Sequence, residues 1–261
     1  MNQLMNTNES QEVVLIKWSP HQKQLEFQKS PAKYKAFVGG IGSGKTRAGC
    51  IQAIKEMLRQ PGSLGMIASP TYPMLRDATQ RTFFELCPRA LIAEFHKGEN
   101  RVLFNNGSEV LFRSADDPER LRGPNLTWFY IDEAAMVPRL AWRILIGRLR
   151  QAGYDYSAWI TTTPKGFNWI HDEWVDNPKE NYGMVQCSTE DNPYLLPEFI
   201  EDLKENYTGV FSQQEIEGKF VGFEGVVYGD FDRRYHILDL SKQKFIRYIA
   251  AIDWGFTNPT V

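Results

Sequence analysis

Cysteine is scarce in this sequence of 261 residues. The three cysteines, Cys50, Cys87 and Cys187, lie far apart, with no CxxC pair and no histidine at metal-ligand spacing. Disulfide scaffolds and zinc sites bring such residues together in short spacings. We therefore interpret the cysteines as reduced thiols of the core, and we expect neither a disulfide framework nor a cysteine-based metal site.

The sequence also lacks a long apolar run, a targeting segment and a strong net charge. A membrane-spanning helix needs roughly 20 apolar residues, and no stretch approaches that length. The polar segment 1–11 resembles neither a signal peptide nor a transit peptide, so we expect a cytoplasmic setting and no membrane partner. A formal net charge of −2 excludes a protein that coats nucleic acid with its whole surface, but it allows a local basic patch.

Glycine, by contrast, is concentrated just before a Lys-Thr pair. The segment consists of Gly39, Gly40, Ile41, Gly42, Ser43, Gly44, Lys45 and Thr46, which is the spacing of a P-loop. Glycines permit backbone conformations that point successive N–H groups into one concavity, where phosphate oxygens bind. In this pattern the lysine reaches the β- and γ-phosphates of a nucleoside triphosphate, and the threonine hydroxyl is a ligand of Mg²⁺. The pattern predicts a site for a triphosphate and its magnesium ion.

The residues on either side of this loop agree with that prediction. Residues 34–38 alternate and include aromatic and β-branched types, which predicts a strand. Residues 47–58 contain no proline and place apolar side chains on one face, which predicts a helix whose N-terminus favours anions. A glycine-rich surface turn is the alternative, but strand, loop and helix follow in the order that a P-loop requires.

Two adjacent acids end the most apolar segment of the chain. Residues 127–131 predict a buried central strand, and Asp132 and Glu133 follow it directly. Ligands of open α/β sheets bind at the carboxyl ends of the strands. We therefore predict that Asp132 holds Mg²⁺ through water, and that Glu133 orients or deprotonates the attacking water.

Three weaker features complete the pattern. Thr161, Thr162 and Thr163 end a predicted strand, where they either sense the γ-phosphate or form a hydroxyl-rich turn. A glutamine upstream of the P-loop, Gln22 or Gln24, offers the donor and acceptor that the edge of adenine requires. Residues 102–113 predict a hairpin around an Asn-Gly turn, and hence an antiparallel edge on a mixed sheet.

In this order, and with Asp253-Trp254-Gly255 near the chain end, these motifs make the sequence similar to the large terminase subunit of tailed bacteriophages. That subunit is the ATPase motor that drives double-stranded DNA into a procapsid. The resemblance extends from Trp18 to the chain end. It implies an α/β fold of the RecA/ASCE-like P-loop NTPase type, with a mainly parallel sheet flanked by helices and a small lid subdomain.

The resemblance also implies a division of the chain. Its parts are a flexible N-terminal segment at 1–17, the P-loop ATPase core at 18–190, a helical lid subdomain at 191–222, a linker at 223–245 and the start of an RNase H-like nuclease domain at 246–261. Asp253 corresponds to the first metal-binding acid of that nuclease. Because a two-metal site needs further carboxylates, we expect nuclease activity only in the full-length protein, and we expect this sequence to end just inside the second domain.

The roles of the ATPase residues follow from the same resemblance. The stretch Pro20-His21-x-x-Gln24 matches the adenine-recognition motif and favours Gln24 over Gln22. The other correspondences are Lys45 and Thr46 with the P-loop pair, Asp132 with the Walker B acid, Glu133 with the catalytic glutamate, and Thr161, Thr162 and Thr163 with the segment that couples hydrolysis to movement.

The sequence departs from the family pattern inside the P-loop. Many relatives carry an arginine there, but Ile41, or Gly40, occupies that position here. Leu121-Arg122-Gly123 matches the position from which the family supplies an arginine finger to a neighbouring subunit. We therefore expect catalysis to depend on Arg122, and a lone subunit to hydrolyse ATP slowly.

The implied function is hydrolysis of ATP, with Mg²⁺, to translocate double-stranded DNA. The implied partners are double-stranded DNA, the phage portal protein, the small terminase subunit and further copies of the chain in a ring on the portal, the isolated chain being a monomer. The expected location is the host cytoplasm and, transiently, the procapsid. Two alternatives are a P-loop DNA helicase or translocase, and a nucleotide-gated DNA-binding module without turnover.

Overall fold

The computed structural model describes residues 18–222 and Arg247. The chain separates into two units, Met1–Glu224 and Gly225–Val261, and every helix and strand given below lies in the first of them.

Several expectations therefore lie outside the described residues. These are the flexible segment 1–17, the linker at 223–245 and, apart from Arg247, the nuclease segment at 246–261 with Asp253. All three stay predictions.

An eight-stranded mixed sheet forms the centre of the first unit. Its strands are β1 (Tyr34–Gly39), β2 (Leu64–Ser69), β3 (Ile92–His96), β4 (Arg101–Phe104), β5 (Glu109–Ser114), β6 (Trp128–Ile131), β7 (Ser157–Thr162) and β8 (Tyr182–Cys187). The spatial order is β3-β4-β5-β2-β6-β7-β1-β8. The strands from β5 to β8 in this order are parallel, whereas β4 runs antiparallel to both of its neighbours. The predicted mainly parallel sheet is confirmed.

Helices cover both faces of this sheet. They are α1 (Gln22–Lys29), α2 (Lys45–Arg59), α3 (Tyr72–Met74), α4 (Arg81–Leu86), α5 (Arg139–Ile146), α6 (Trp169–His171), α7 (Pro197–Asn206) and α8 (Gly209–Glu215). Two π-helical segments are interposed, Leu75–Gln80 between α3 and α4 and Asp172–Asp176 after α6. Among the helices in the described part of the chain, none has the length and apolar character needed to cross a membrane.

The core on each face of the sheet explains why strand β6 is apolar at every position and does not alternate between apolar and polar residues. Trp128 and Tyr130 of β6 point to the face that packs against α1, α2 and α4. Phe129 and Ile131 point to the opposite face, which packs against α5 and α6. Because successive side chains of a strand face opposite sides of the sheet, a strand that is covered on both sides must be apolar at every position.

The antiparallel edge contains one strand more than the sequence predicted. The hairpin of β4 and β5 forms as expected, and β3 pairs with β4 outside it. The alternation of β3 is irregular, because its register shifts between Ile92 and Glu94 and both Ala93 and Glu94 are exposed. A bulged edge strand of this kind has no clean period of two, which explains why the sequence did not predict it.

Two helical regions are irregular. Between α3 and α4 the chain forms the π-helical segment Leu75–Gln80. Helix α8 ends at Glu215 with Ile216 as its C-cap, and Gly218, two residues further on, takes a left-handed conformation with φ of 65°.

Close packing between β2 and β6 gives a test of this core. A Cβ placed on Gly65 would lie 2.1 Å from Cε2 and Cζ2 of Trp128, its register partner. We expect Gly65→Ala to lower the free energy of unfolding by about 1–3 kcal/mol, because the indole cannot move in a filled core. Urea unfolding measures this change. Gly98→Ala is the control, since nothing lies within 4 Å of its added Cβ, and an equal loss in both variants would contradict the argument.

Candidate functional site

The P-loop connects β1 to α2 at the edge of the sheet where the parallel strands end. Gly42 and Gly44 have φ angles of 71° and 77°, which only glycine adopts without strain. The N–H groups of Lys45 and Thr46 begin α2 and have no partner within the helix. Ser43 is fully buried, and its hydroxyl has no hydrogen-bond partner among the described residues. The loop is therefore a cradle in which the N–H groups at the start of α2 and the hydroxyl of Ser43 are available to phosphate oxygens.

Helix α1 holds one side of this cradle. His21 Nε2 donates to the carbonyl of Ser43 at 3.0 Å, and Gln24 Nε2 donates to the carbonyl of Gly44 at 2.9 Å. Gln24 Oε1 also accepts from the backbone N–H of His21 at 3.2 Å. The sequence placed His21 within a motif but gave its side chain no role. These bonds tie two carbonyls of the loop to the start of α1.

The role predicted for Gln24 in adenine recognition stays a prediction. Gln24 is 3% exposed. Its Oε1 is engaged with the N–H of His21, and its Nε2 is engaged with the carbonyl of Gly44. It also lines a cavity of about 770 Å³ beside the loop. The other residues that line this cavity are Trp18, Ser19, Gly44, Arg47, Asn192 and Tyr194. An aromatic-lined space of this size next to a phosphate cradle suits a nucleoside.

The segment after β8 holds the other side of the cradle. Thr189 Oγ1 donates to the carbonyl of Ile41 at 2.7 Å, and Asn192 Nδ2 donates to the carbonyl of Gly42 at 2.6 Å. The N–H of Ile41 donates to the carbonyl of Glu215 at 2.7 Å. Neither Thr189 nor Asn192 was predicted from the sequence. Ile41 therefore contributes backbone contacts that fix the loop.

Lys45 lies at the mouth of the loop, next to the acid pair. Its Nζ is 3.6 Å from Oε1 of Glu133 and 3.4 Å from the carbonyl of Gly40. The residue is only 8% exposed, so its ammonium group has few water partners. An anion that enters the cradle therefore meets a preplaced positive charge.

Asp132 is held by three hydroxyl groups. Its Oδ1 accepts from Thr46 at 3.2 Å and from Thr161 at 2.5 Å, and its Oδ2 accepts from Thr79 at 2.7 Å. Asp132 is 2% exposed. The hydroxyl of Thr46 and the carboxylate of Asp132 are the hard oxygen donors that Mg²⁺ prefers, so these residues fit a magnesium ion. Thr79 was not predicted from the sequence.

Glu133 adopts an unusual backbone conformation. Its φ and ψ angles are 49° and 47°, in the left-handed region that residues other than glycine rarely occupy. Its Oε2 accepts from the N–H of Thr163 at 3.4 Å. Burial raises the pKa of the Glu133 carboxyl, and the nearby Lys45 partly opposes that rise. Left-handed backbone at a half-buried carboxyl is typical of functional sites, and a carboxyl with a raised pKa is a stronger base.

The three threonines contact the acid pair and the loop that follows it. Thr161 donates to Asp132, while its oxygen lies 2.7 Å from the hydroxyl of Tyr130. The hydroxyl of Thr162 accepts from the N–H of Ala135 at 3.0 Å. Thr163 donates its N–H to Glu133. The segment therefore joins the end of β7 to the loop that carries both acids, whereas a self-contained turn would bond only within itself.

Arg122 lies away from these residues. It follows the 3₁₀ helix Pro118–Leu121 on the surface, and it donates to both carboxylate oxygens of Glu119 at 2.6 and 3.1 Å. This pairing raises the pKa of Arg122 and lowers that of Glu119. The structure does not bring Arg122 to the P-loop of its own chain, and its proposed role in a neighbouring subunit stays a prediction.

The topology and the site define a class of protein. A P-loop follows β1, the acid pair follows β6, and β7 lies between these two parallel strands. This is the arrangement of an ASCE-type P-loop nucleoside triphosphatase.

Comparison with known proteins identifies the family. The family model "Terminase large subunit, T4likevirus-type, N-terminal" matches residues 36–234. The chain belongs to this family.

Individual relatives agree with this assignment. The terminase large subunit of Thermus phage G20c is 33% identical over 180 residues, which cover 60% of this chain and 36% of the relative. The ATPase domain of the large terminase of Thermus phage P74-26 is 26% identical, with a TM-score of 0.64, over 79% of this chain and 96% of that domain. A large terminase from another thermophilic bacteriophage, solved with ADP, shares the fold at 23% identity, with a TM-score of 0.69, over 92% of this chain and 63% of that one. The chain thus spans 36% of the length of the G20c relative.

Proposed function

We propose that this chain contains the ATPase motor domain of a phage large terminase, which hydrolyses ATP with Mg²⁺ to move double-stranded DNA into a procapsid. One observation carries the proposal: the phosphate cradle ends beside two acids, of which Asp132 is buried and Glu133 is half-buried. Lys45 lies 3.6 Å from Glu133, and Thr46 lies 3.2 Å from Asp132. A lysine, a metal-binding hydroxyl, a metal-binding acid and a base are the parts that phosphoryl transfer to water requires.

Each residue of the site has its own role in the hydrolysis of ATP. The backbone N–H groups of Lys45 and Thr46 and the ammonium of Lys45 bind the phosphate oxygens and stabilise the negative charge that develops on them. Thr46 and Asp132 would hold Mg²⁺, which neutralises charge on the β- and γ-phosphates when it is bound. Glu133 accepts a proton from the attacking water, for which its raised pKa is suited. In the free protein Glu133 pairs with Lys45, and the incoming γ-phosphate replaces it as the partner of that lysine.

Nucleotide binding is supported by relatives with the same fold. The large terminase of the thermophilic bacteriophage compared above was solved with ADP and with ATP-γ-S. We propose ATP as the substrate here, with the base in the cavity between Trp18 and Tyr194 and the phosphates in the loop.

The remaining parts of the proposal concern the assembled motor. Arg122 acts as an arginine finger on the next subunit of a ring, which explains why it lies on the surface beside Glu119. The ring binds double-stranded DNA, the portal protein and the small terminase subunit, in the host cytoplasm and on the procapsid. Nuclease activity belongs to the full-length protein, with Asp253 as one of its metal ligands.

Replacing Lys45 tests the nucleotide site. We expect Lys45→Ala to lower ATP turnover by about 10²–10³-fold and to weaken binding of a fluorescent ATP analogue, because one preplaced positive charge is lost. Lys55→Ala is the matched control, since Lys55 is an exposed lysine of the same helix and the substitution removes the same charge. Equal binding and turnover in Lys45→Ala and the parent would refute the proposal.

The same assay separates the two alternatives. Tight ATP binding by the parent without turnover would favour a nucleotide-gated DNA-binding module. Turnover stimulated by single-stranded DNA more than by double-stranded DNA would favour a helicase. A packaging motor should respond to double-stranded DNA.

A further inference from the structure

A threonine outside every sequence motif reaches the centre of the site. Thr79 lies in the π-helical segment Leu75–Gln80 and is 1% exposed. Its hydroxyl donates to Oδ2 of Asp132 at 2.7 Å and lies 2.8 Å from the hydroxyl of Ser69 at the end of β2. The two residues that meet, Thr79 and Asp132, are separated by 53 positions in the sequence.

The direction of these hydrogen bonds is fixed by counting protons. A carboxylate only accepts, and each hydroxyl has one proton to donate. Because Thr79 gives its proton to Asp132, Ser69 must donate to Thr79. On the other oxygen, Thr161 gives its proton to Asp132, so Tyr130 must donate to Thr161. Two buried chains of hydroxyls therefore converge on one carboxylate.

The contact between Thr79 and Asp132 depends on the π-helical segment Leu75–Gln80. Wider turns of this kind are rare within helices and are frequent at functional sites. In this segment Leu75, Thr79 and Gln80 are buried, whereas Arg76, Asp77 and Ala78 are exposed. The segment thus turns the polar side chain of Thr79 inward beside Asp132.

We propose that Thr79 is a positioning residue for Asp132, which fixes the carboxylate in the orientation that magnesium binding requires. Oδ1 accepts from Thr46, from Thr161 and from the N–H of Glu133, whereas Thr79 is the described contact to Oδ2. Without Thr79, Oδ2 has no hydrogen-bond partner among the described residues to hold it in place. Partners that orient metal ligands in this way typically contribute about 10–100-fold to metal affinity. The inference rests on the proposed function, since it takes Asp132 as the magnesium-binding acid.

The test is the magnesium dependence of nucleotide binding, measured without turnover. A fluorescent ADP analogue is bound to each variant in EDTA and then at increasing Mg²⁺. In Thr79→Val, which removes the hydroxyl at nearly constant volume, we expect the apparent affinity for Mg²⁺ to fall about tenfold. Binding of the analogue in EDTA should equal that of the parent, because the phosphate cradle is untouched. Thr79→Ser keeps the hydroxyl and should restore the parental magnesium dependence.

A matched control separates positioning from loss of stability. Thr127 is also a buried threonine that donates to a side chain, Oε1 of Gln151 at 2.5 Å, and Thr127→Val should leave the magnesium dependence unchanged. If Thr79→Val does not fold, as judged by its thermal unfolding, Thr79→Ala gives the same comparison. If a folded variant without the Thr79 hydroxyl binds Mg²⁺ as tightly as the parent, the role of Thr79 is refuted, whereas the proposed function is unaffected. A parent that binds no ADP, with or without Mg²⁺, would overturn the inference together with the proposed function.

Discussion

Replacing Glu133 with glutamine is expected to lower ATP turnover by about 10²–10⁴-fold, the contribution of a positioned general base. Glutamine keeps the size of the side chain and its contact with the N–H of Thr163, but it cannot accept the proton of the attacking water. ATP binding should persist or become tighter. The ammonium of Lys45 lies 3.6 Å from the Glu133 carboxylate in the parent, and in the variant it need not give up this ion pair to bind the γ-phosphate. Single-turnover hydrolysis and binding of a fluorescent ATP analogue measure the two effects separately.

The pH dependence of ATP turnover in the parent is a second test of the role of Glu133. Burial raises the pKa of Glu133, so turnover should fall on the acid side at a higher pH than an ordinary glutamate would give.

The same shift affects stability. A raised pKa of Glu133 in the folded state stabilises the protein below the unfolded pKa, and that contribution is lost as the pH rises through the folded pKa. Glu133→Gln should therefore lose this part of the pH dependence of stability. Glu201→Gln, an exposed change on α7, is the control. Turnover that survives in Glu133→Gln would remove Glu133 from the mechanism.

Replacing Arg122 with alanine should abolish the rise of turnover with protein concentration. An arginine finger contributes about 10³–10⁵-fold to phosphoryl transfer, and under the proposal Arg122 acts on another copy of the chain. Specific turnover of the parent should climb as copies associate, whereas that of Arg122→Ala should stay low and constant. Arg120→Ala is the matched control, since Arg120 lies in the 3₁₀ helix that Arg122 follows and pairs with Asp117 at 3.2 Å.

Mixing two inactive variants tests whether the arginine acts between subunits. Arg122→Ala keeps an intact acid pair, and Glu133→Gln keeps an intact arginine. If the arginine is supplied by a neighbour, the mixture should hydrolyse ATP faster than the sum of its components. A mixture no faster than that sum, together with a parent whose turnover is independent of concentration, would place the arginine outside the reaction.

The sequence predicted the parts of the molecule that depend on local pattern. The P-loop, β1 and α2 are contiguous, so the spacing of their residues carries the information. Strand β6 was predictable because it is apolar on both faces, and its end placed Asp132 and Glu133 at the edge where the P-loop lies.

Other parts depend on contacts that the sequence does not reveal. The π-helical turn at Leu75–Gln80 retains a helix-like pattern, so the inward position of Thr79 had no signal. Thr189 and Asn192 reach the P-loop only after the chain has crossed the sheet. His21 was within a recognised motif, but its contact with Ser43 requires the folded loop. The role proposed for Arg122 depends on a second molecule.

The hydrogen bonds between the P-loop and the segment after β8 have a mechanical consequence. Gly40 and Ile41 donate to the carbonyls of Cys187 and Glu215, and the carbonyls of Ile41 and Gly42 accept from Thr189 and Asn192. Four hydrogen bonds therefore tie the phosphate cradle to the downstream segment, although Gly42 and Asn192 are 150 residues apart in the sequence. We expect a shift of the P-loop on nucleotide binding to move this segment, which carries α7 and α8, with it.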